Sequence, residues 1–402
     1  MNILQICNKP PFPPLEGGSL AMNAITQGLL SKGHKVKVLS ISSFKNQVLL
    51  ESFPEWYLKS TQFESVFIDL KIKILPAFLN LFSSKSYHVQ RFISKDFERK
   101  LIEILKRNTY DIIQLETLYI TPYLSVIRKY SNAKIVFRAH NVEHLIWERI
   151  AKEAKNLFKN LYLNHLALTL KKYELSVLNE YDGIAAITKN DADFFNNSGC
   201  FKPLTDISFG IDIMKYACDY DYNKIDLFYI GAMNWIPNQQ GIHWFFDSVW
   251  NLICYKIPDL KFYLAGRSMP NWLLQSKYPN IEILGEVEDA KAFINSKSIM
   301  VVPLFSGSGI RIKIIEAMAM GKVVITTSIG AEGINYTNNK DIIIANTIED
   351  FKNAIIEIVN NMERRKMIGE NARKLIEKEH TNNLLTDKLI AFYEQILKKS
   401  SL

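Results

Sequence analysis

One glycine- and serine-rich loop is followed by residues that could bind a nucleotide. The loop, Ser306–Gly309, comes after an apolar run and is followed by Arg311 and Lys313. Backbone N–H groups at a helix start, together with two cations, suit a diphosphate. Glu316 lies among apolar residues of the same predicted helix, where a carboxylate is rarely buried without partners. A ribose diol would satisfy that carboxylate, so this stretch predicts a nucleotide site; the alternative is an exposed glutamate on an ordinary helix.

A second candidate anion site lies near the N-terminus. Gly17 and Gly18 follow the first predicted strand and precede a predicted helix. Two glycines there allow the backbone to approach a phosphate. The pattern is not Gly-x-Gly-x-x-Gly, so the NAD(P) fingerprint is absent. The alternative is a tight turn in which Ser19 simply caps the helix.

His140 is a candidate ligand-binding residue in the first half of the chain. It follows the predicted strand Lys134–Phe137, at the carboxyl end where open α/β sheets bind ligands. A structural loop histidine is the alternative. Glu143 and His144 are expected to form the first turn of the next helix.

No metal site is predicted. Asp191 and Asp193 have the Asp-x-Asp spacing, but they follow Thr188 at a helix start, where acidic residues favour the helix dipole. The four cysteines are far apart and include no Cys-x-x-Cys pair. Their spacing argues against a disulfide framework and a structural zinc site, and it fits a reducing compartment.

The elements that must position these residues alternate between short apolar runs and helical patterns. This alternation predicts parallel sheets covered on both faces. It breaks over residues 198–226 and then restarts, which predicts two doubly wound domains joined near residue 210. The predicted strands are Met1–Cys7, Lys35–Ile41, Asp111–Leu115, Lys134–Phe137, Ile184–Ile187, Leu227–Ile230, Lys261–Ala265, Ile281–Leu284, Met300–Pro303, Val323–Thr326 and Asp341–Ile344. The predicted helical segments are Ser19–Lys32, a long helical stretch from about Val142 to Asn179, Gly241–Tyr255, Ala290–Asn295, Ile312–Met320, Ile348–Asn360 and Thr381–Lys398.

The composition is that of an ordinary globular protein. The 402 residues are 48% hydrophobic and 22% charged, which excludes disordered and collagen-like chains. No apolar run approaches the ~18 residues that span a bilayer. The N-terminus has no basic region before its apolar stretch, so a signal peptide is not expected.

The charge is uneven along the chain. Residues 1–210 hold 27 basic and 19 acidic side chains, so this half carries the whole net charge of +8. Residues 71–107 contain nine basic and three acidic residues together with the apolar run Ile74–Phe82. Basic and apolar residues together predict a segment that contacts an anionic membrane surface. The alternative is a helix with one solvated and one buried face.

Several motifs together resemble those of the retaining, nucleotide-sugar-dependent glycosyltransferases of family 4. The resemblance covers most of the chain, and the last motif looks like the family's Glu-x7-Glu element. The motifs are the Gly17-Gly18 loop, Phe137-Arg138-Ala139-His140-Asn141, Ile207–Asp212, Tyr229–Trp235 and Ser306–Gly321. The resemblance implies the GT-B fold, in which two Rossmann-like domains face each other and a C-terminal helix crosses back to the first. The expected domains are 1–208 with helix 384–402 on the acceptor side, and 209–383 for the nucleotide sugar.

The resemblance also implies roles for single residues. Glu316 matches the glutamate that holds the nucleotide ribose, and His140 matches a histidine that contacts the transferred sugar; these two are the expected catalytic residues. Gly17 and Gly18 match a loop over the donor phosphates. The expected donor-binding set is Gly17, Gly18, Gly231, Ser308, Gly309, Arg311, Lys313 and Glu316.

Two departures from the family pattern affect the donor site. Ser308 stands where the first glutamate of the motif is usual, which puts the sugar identity in doubt. The family often has an arginine and a lysine at the positions of Ala232 and Pro237. Arg311 and Lys313 are expected to supply these missing cations.

The implied reaction is transfer of a sugar from a nucleotide-diphosphate donor to a glycan or lipid-linked acceptor, with retention, in surface-polysaccharide assembly. Metal ions and further cofactors are not expected. The expected location is the cytoplasm, with contact at the inner membrane face left open. The alternatives are a nucleotide-sugar epimerase of the same fold and a non-catalytic sugar-nucleotide-binding protein. Nucleic-acid binding is not expected, because the basic excess matches no recognised motif.

Overall fold

The chain forms two compact α/β units. The computed structural model describes residues 1–14, 17–154, 156–218, 221, 223–307 and 309–398. One unit comprises Met1–Gly210 and Asn382–Leu402, and the other comprises Ile211–Thr381. Across the described residues, no helix combines the length and apolar character that a membrane-spanning helix needs.

The first unit is built on a seven-stranded parallel sheet. Its spatial order is β3-β2-β1-β4-β5-β6-β7. The central strands are buried on both faces: Leu4 and Ile6 of β1 enter one core cluster, and Ile3 and Cys7 enter the other. The strands are β1 (Asn2–Cys7), β2 (Lys35–Ser42), β3 (Glu64–Phe67), β4 (Ile112–Glu116), β5 (Lys134–Ala139), β6 (Gly183–Ala186) and β7 (Leu204–Asp206).

Helices on both faces cover this sheet. They are α1 (Gly17–Ser31), α2 (Glu55–Thr61), α3 (Ile74–Asn80), α4 (Tyr87–Gln90), α5 (Lys95–Arg107), α6 (Leu124–Tyr130), α7 (Glu143–Glu153), α8 (Leu157–Ser176) and α9 (Lys189–Asn197), with 3-10 turns at Leu50–Ser52 and Leu118–Tyr123. The helical stretch predicted from about Val142 to Asn179 forms two helices, α7 and α8. The chain leaves helical geometry at Ala154, and Asn156 starts α8 by accepting a hydrogen bond from the Lys159 amide.

The second unit repeats this architecture. Its six strands are parallel and lie in the order β10-β9-β8-β11-β12-β13. They are β8 (Leu227–Ile230), β9 (Phe262–Ala265), β10 (Ile281–Gly285), β11 (Ile299–Val302), β12 (Val323–Thr326) and β13 (Ile343–Ile344). In both sheets the strand order reverses beside the first strand of the unit, and ligands of such folds bind at the carboxyl ends of the strands there.

The helices of the second unit are α10 (Ile236–Phe245), α11 (Asn251–Lys256), α12 (Asn271–Leu274), α13 (Ala290–Asn295), α14 (Ile312–Ala319), α15 (Ile348–Asn360) and α16 (Met362–Glu379), with a 3-10 turn at Ile213–Lys215. The helix predicted over Gly241–Tyr255 begins five residues earlier, and a π turn at Phe246–Trp250 separates α10 from α11. Gly241 is needed here because a Cβ at this position would lie 1.8 Å from the Pro303 carbonyl oxygen.

The last helix, α17 (Asn382–Lys398), belongs to the first unit. Its apolar face, which includes Leu385, Leu389 and Phe392, joins the core on one side of the seven-stranded sheet. Ile396 packs against Gly183, where a Cβ would lie 2.4 Å from its Cδ1 atom. The predicted C-terminal helix that returns to the first domain is therefore confirmed.

Candidate functional site

The second unit brings a glycine loop and two cations together at the carboxyl ends of β8 and β11. Gly231 directly follows β8, and the loop before α14 follows β11. A Cβ at position 231 would lie 3.0 Å from Lys313 Nζ, so glycine allows this lysine to approach the backbone. Gly307 and Gly309 have φ angles of 114° and 75°, which glycine adopts readily. Ser308, between them, lies outside the described residues.

Lys313 is partly buried, and its hydrogen-bond partners are neutral groups. Its ammonium donates hydrogen bonds to the Tyr229 hydroxyl and, at 3.3 Å, to Asn238 Oδ1. It also lies 3.9 Å from the centroid of the Tyr229 ring. Burial lowers the pKa of Lys313 well below its ordinary value, and the positive charge of Arg311 lowers it further. Two cations close to each other at this edge form a natural anion site.

Arg311 is buried at the start of α14. Its Nη1 atom donates to the Gly309 carbonyl, and its guanidinium carbon lies 5.4 Å from the centroid of the Trp235 ring. A Cβ at Gly307 would lie 2.9 Å from Arg311 Nη2. The structure thus brings Gly231, Gly309, Arg311 and Lys313 of the predicted donor-binding set to one edge of the sheet.

Glu316 lies one turn further along α14. Its Oε1 atom accepts a hydrogen bond of 2.9 Å from the Tyr216 hydroxyl. Burial raises the pKa of Glu316, although the hydrogen bond from Tyr216 and the charge of Lys291 oppose the rise. Lys291 Nζ also lies 4.2 Å from the centroid of the Tyr216 ring. Tyr216 was not predicted from the sequence, because it lies 100 residues from Glu316 and in no recognisable motif.

In the first unit, His140 lies just after β5 and is nine-tenths buried. Its Nε2 atom is 2.6 Å from Glu116 Oε2, at the end of the neighbouring strand β4. Burial raises the pKa of Glu116, but His140, Arg138 and Gln5 more than offset this and hold it below its ordinary value. Glu116 was not predicted as a site residue, although an acidic residue at the end of an apolar strand could have indicated it.

Gly17 and Gly18 form the first turn of α1. A Cβ at Gly18 would lie 2.9 Å from the Cε atom of Lys9, so the lysine side chain passes close to the backbone there. Ser19, considered above as a cap, lies inside α1, and its hydroxyl donates to the Pro10 carbonyl at 2.9 Å. The capping alternative is therefore wrong for Ser19.

A second buried histidine–carboxylate pair supports α7. Glu143 and His144 form its first turn, as predicted. Glu174 accepts hydrogen bonds from both of their backbone amides, at 3.0 and 3.2 Å, and lies 2.6 Å from His144 Nδ1. Burial and the Glu174 charge raise the pKa of Glu143 to about 7. Because Glu174 caps the helix start, this pair is structural.

The Asp-x-Asp segment also has a structural role. Thr188 caps α9, accepting a hydrogen bond of 3.0 Å from the Asp191 amide and donating one of 2.8 Å to its carboxylate. This confirms that Asp191 is a helix N-terminal charge. Over the residues that the structure describes, no group of three or more His, Cys, Asp or Glu side chains could hold a metal ion.

Residues 224–361, which lie in the second unit, match the family model of the glycosyl transferases group 1. An uncharacterised 44.6 kDa protein from the cps region of Klebsiella pneumoniae is 23% identical over 391 residues, which are 94% of this chain and 96% of that protein. The capsular polysaccharide biosynthesis glycosyltransferase CapM of Staphylococcus aureus is 27% identical over 208 residues, which are 48% of this chain and 54% of CapM.

Solved structures share the fold. Sucrose-phosphate synthase of Thermosynechococcus elongatus superposes with a TM-score of 0.70 at 14% identity, covering 99% of this chain and 100% of the synthase. Anabaena HepE in complex with UDP and glucose superposes with a TM-score of 0.67 at 14% identity, covering all of both chains. The predicted α/β fold with two Rossmann-like units is confirmed, and its structural neighbours are GT-B glycosyltransferases.

Proposed function

We propose that this chain transfers a sugar from a nucleoside-diphosphate sugar to a glycan or lipid-linked saccharide, with retention of configuration, in surface-polysaccharide assembly. One observation carries the proposal: within the glycosyl transferases group 1 domain, Arg311 and Lys313 lie beside a glycine loop, one turn before the carboxylate of Glu316. The cations suit the diphosphate and the carboxylate suits the ribose hydroxyls.

The chemistry assigned to the protein is positioning and charge stabilisation. Arg311 and Lys313 would neutralise the negative charge that grows on the leaving diphosphate, without a metal ion or another cofactor. His140 would contact the transferred sugar, and the Gly17–Gly18 turn would allow close approach to the donor phosphates. The first domain (1–208 with 384–402) would hold the acceptor, and the second (209–383) the donor. Gly231, Ser308 and Gly309 complete the proposed donor site.

The comparisons support this proposal. HepE has been solved with UDP and glucose, which is consistent with a nucleotide-sugar donor. CapM is a capsular polysaccharide biosynthesis enzyme, and the Klebsiella relative comes from the cps region. Both point toward a surface polysaccharide as the product.

The proposal is tested in two steps with the full chain. Thermal unfolding is first followed with a panel of nucleoside diphosphates and their sugars; a ligand at a hundredfold excess over Kd stabilises by about 2.7 kcal/mol. The stabilising sugar nucleotide is then incubated with an acceptor extract. Transfer of labelled sugar supports the proposal. Conversion of the free donor sugar without transfer would identify an epimerase, and binding without any turnover would identify a non-catalytic protein.

The proposed acceptor side includes an exposed apolar patch, defined here as Ile74, Leu75, Phe78, Leu79 and Phe82. Their exposed fractions range from 57% to 87%. On the other side of α3, Ala77 packs into a small core with Ala151 and Leu166. Leu157, Phe158 and Leu161 of α8 are also 59–82% exposed. The hydrogen bond between His165 and the Asn80 carbonyl, 3.0 Å long, joins α8 to the end of α3.

Such a concentration of exposed apolar side chains is unusual for a surface in water. Lys71, Lys73 and Lys85 flank the patch and are exposed. We therefore propose peripheral contact with an anionic bilayer at this surface, at the inner face of the membrane, close to a lipid-linked acceptor. Basic residues would each contribute about 1 kcal/mol near the lipid headgroups.

Replacing Phe78 and Phe82 with serine should weaken binding to anionic vesicles by at least about a hundredfold, because each buried phenylalanine contributes roughly 1.5–3 kcal/mol. Co-sedimentation at low and high salt measures the effect, and binding by the unaltered chain should fall with salt. Phe201→Ser is the matched control, since Phe201 is 76% exposed elsewhere on the same unit. If the unaltered chain stays in the supernatant with anionic vesicles at low salt, the membrane contact is refuted.

A further inference from the structure

The carboxylate of Glu116 is the centre of a buried hydrogen-bond network. Glu116 is fully buried at the end of β4, between β1 and β5. Its Oε1 atom accepts from Gln5 Nε2 at 2.7 Å and from Gln114 Nε2. Its Oε2 atom is bonded to His140 Nε2 at 2.6 Å. Three adjacent strands therefore converge on one carboxylate.

The orientation of both glutamine amides is fixed from outside the sheet. The Thr26 hydroxyl of α1 donates to Gln5 Oε1 at 2.6 Å, and the Tyr393 hydroxyl of α17 donates to Gln114 Oε1. With their oxygens occupied as acceptors, the two amides present their N–H groups to Glu116. The network thus defines which oxygen of Glu116 is left for His140.

These contacts also determine which ring nitrogen of His140 carries the hydrogen. Glu116 Oε1 accepts from two amide N–H groups, so an acceptor-only carboxylate satisfies every contact of the network. The direction of its pKa agrees with this form, because His140, Arg138 and Gln5 more than offset the rise caused by burial. The bonded Nε2 atom of His140 must then be the donor. In the neutral ring, Nδ1 is left with its lone pair as a hydrogen-bond acceptor.

The backbone next to Glu116 is strained. Thr117 has φ 77° and ψ 159°, a region that is almost exclusive to glycine. Thr117 is buried, and its amide donates to the Arg138 carbonyl at 3.2 Å. Such strain persists only where the surroundings impose it, and it is concentrated at functional sites. Here it turns the chain away directly after Glu116.

We propose that Glu116 is a positioning residue, which holds His140 with its hydrogen on Nε2 so that Nδ1 can accept a hydrogen bond from a substrate hydroxyl. This inference rests on the proposed function, in which His140 contacts the sugar. Glu116 acts only through His140, because its own oxygens are occupied within the network.

The test is the tautomer of His140, observed by ¹⁵N NMR on the full chain with labelled histidine and assigned with His140→Phe. The unaltered protein should show the Nε2–H form. In Glu116→Gln, the amide oxygen of the new glutamine should replace Oε1 of Glu116 and accept the hydrogen bonds from Gln5 and Gln114. Its amide nitrogen should then donate to His140 Nε2, and the ring should change to the Nδ1–H form.

Glu174→Gln is the matched control. It alters the other buried histidine–carboxylate pair, also 2.6 Å long, and should change only the signals of His144. In the transfer assay, Glu116→Gln should lower kcat on the order of a hundredfold, as misplaced reacting groups do, with little change in the donor KM.

An unchanged His140 tautomer in Glu116→Gln would overturn the proposal, as would a changed tautomer with unchanged kcat. If Glu116→Gln does not fold, the His140 tautomer of the unaltered protein still tests the proposal. A predominant Nδ1–H form would overturn the positioning role of Glu116. If the unaltered chain transfers no sugar, the proposed function fails, while the NMR result still decides whether Glu116 sets the tautomer.

Discussion

Lys313→Met should weaken nucleoside-diphosphate binding ten- to hundredfold and yet stabilise the ligand-free protein. A hydrogen bond to a charged group contributes roughly 1.5–3 kcal/mol, and the variant removes the ammonium that we assign to the diphosphate. Without ligand, that ammonium contacts a phenol and an amide oxygen and lies close to a second cation. Methionine has a similar length and carries no charge that must be desolvated on folding. The ligand-free variant should therefore have a higher free energy of unfolding than the parent.

The pH dependence follows from the lowered pKa of Lys313. The unfolded chain holds this proton up to about its ordinary value of 10.5, whereas the folded protein releases it at lower pH. Between these two values the unfolded state binds more protons, so folding stability rises with pH. The stability advantage of Lys313→Met should therefore be largest below the folded pKa of Lys313 and should shrink as the pH rises from there to 10.5.

Titration calorimetry and chemical denaturation measure the two effects. Lys322→Met is the matched control: Lys322 is also buried, but it precedes β12 at the opposite end of the sheet and donates to the Asn295 carbonyl at 2.8 Å.

Arg311→Ala should likewise weaken nucleoside-diphosphate binding far more than nucleoside binding. Equal losses for the two ligands would show that these cations are structural.

Glu316→Gln should weaken nucleoside and nucleoside-diphosphate binding alike, by roughly ten- to a hundredfold. Both ligands carry the ribose, and the variant replaces a charged acceptor by a neutral one of the same shape. Equal losses distinguish this residue from Arg311 and Lys313, whose losses depend on the diphosphate. Unchanged affinity for both ligands in calorimetry would refute the assigned role.

The stability difference between Glu316→Gln and the parent protein should change with pH in the opposite sense to the difference for Lys313→Met. Because burial raises the pKa of Glu316, its folded form keeps the proton to higher pH than the unfolded chain does. The stabilising contribution of the protonated carboxyl is lost as the pH rises through the folded pKa. The variant should thus be more stable than the parent at neutral pH, and the difference should vanish near pH 4.5.

Asp341→Asn is the control for this variant. Burial raises the pKa of Asp341 as well, and its oxygens accept from the Thr337 amide at 2.9 and 3.2 Å. It precedes β13 at the amino end of the sheet, away from the carboxyl ends that bind ligands. Its replacement should alter stability with pH but leave ligand affinity unchanged.

Features that depend on residues close together in the chain could be predicted from the amino-acid order. Central strands such as Leu227–Ile230 are buried on both faces, so they appear as continuous apolar runs. Arg311, Lys313 and Glu316 lie within one loop and the first turns of one helix, so their grouping follows from local spacing. The two short edge strands, Glu64–Phe67 and Leu204–Asp206, were missed because half-exposed segments carry a weaker pattern.

The distant groups that contact these residues could not be predicted, because their positions depend on how the folded chain arranges its strands and helices. Strand β4 lies beside β1 and β5 in the sheet, and this topology brings Glu116 to His140 and Gln5 although they are 24 and 111 residues apart. Tyr216 reaches Glu316 across 100 residues in the same way. Hydrophobic periodicity reports which face of an element is buried. It carries no information on which polar group lies opposite, because that depends on strand order and on the packing of whole helices.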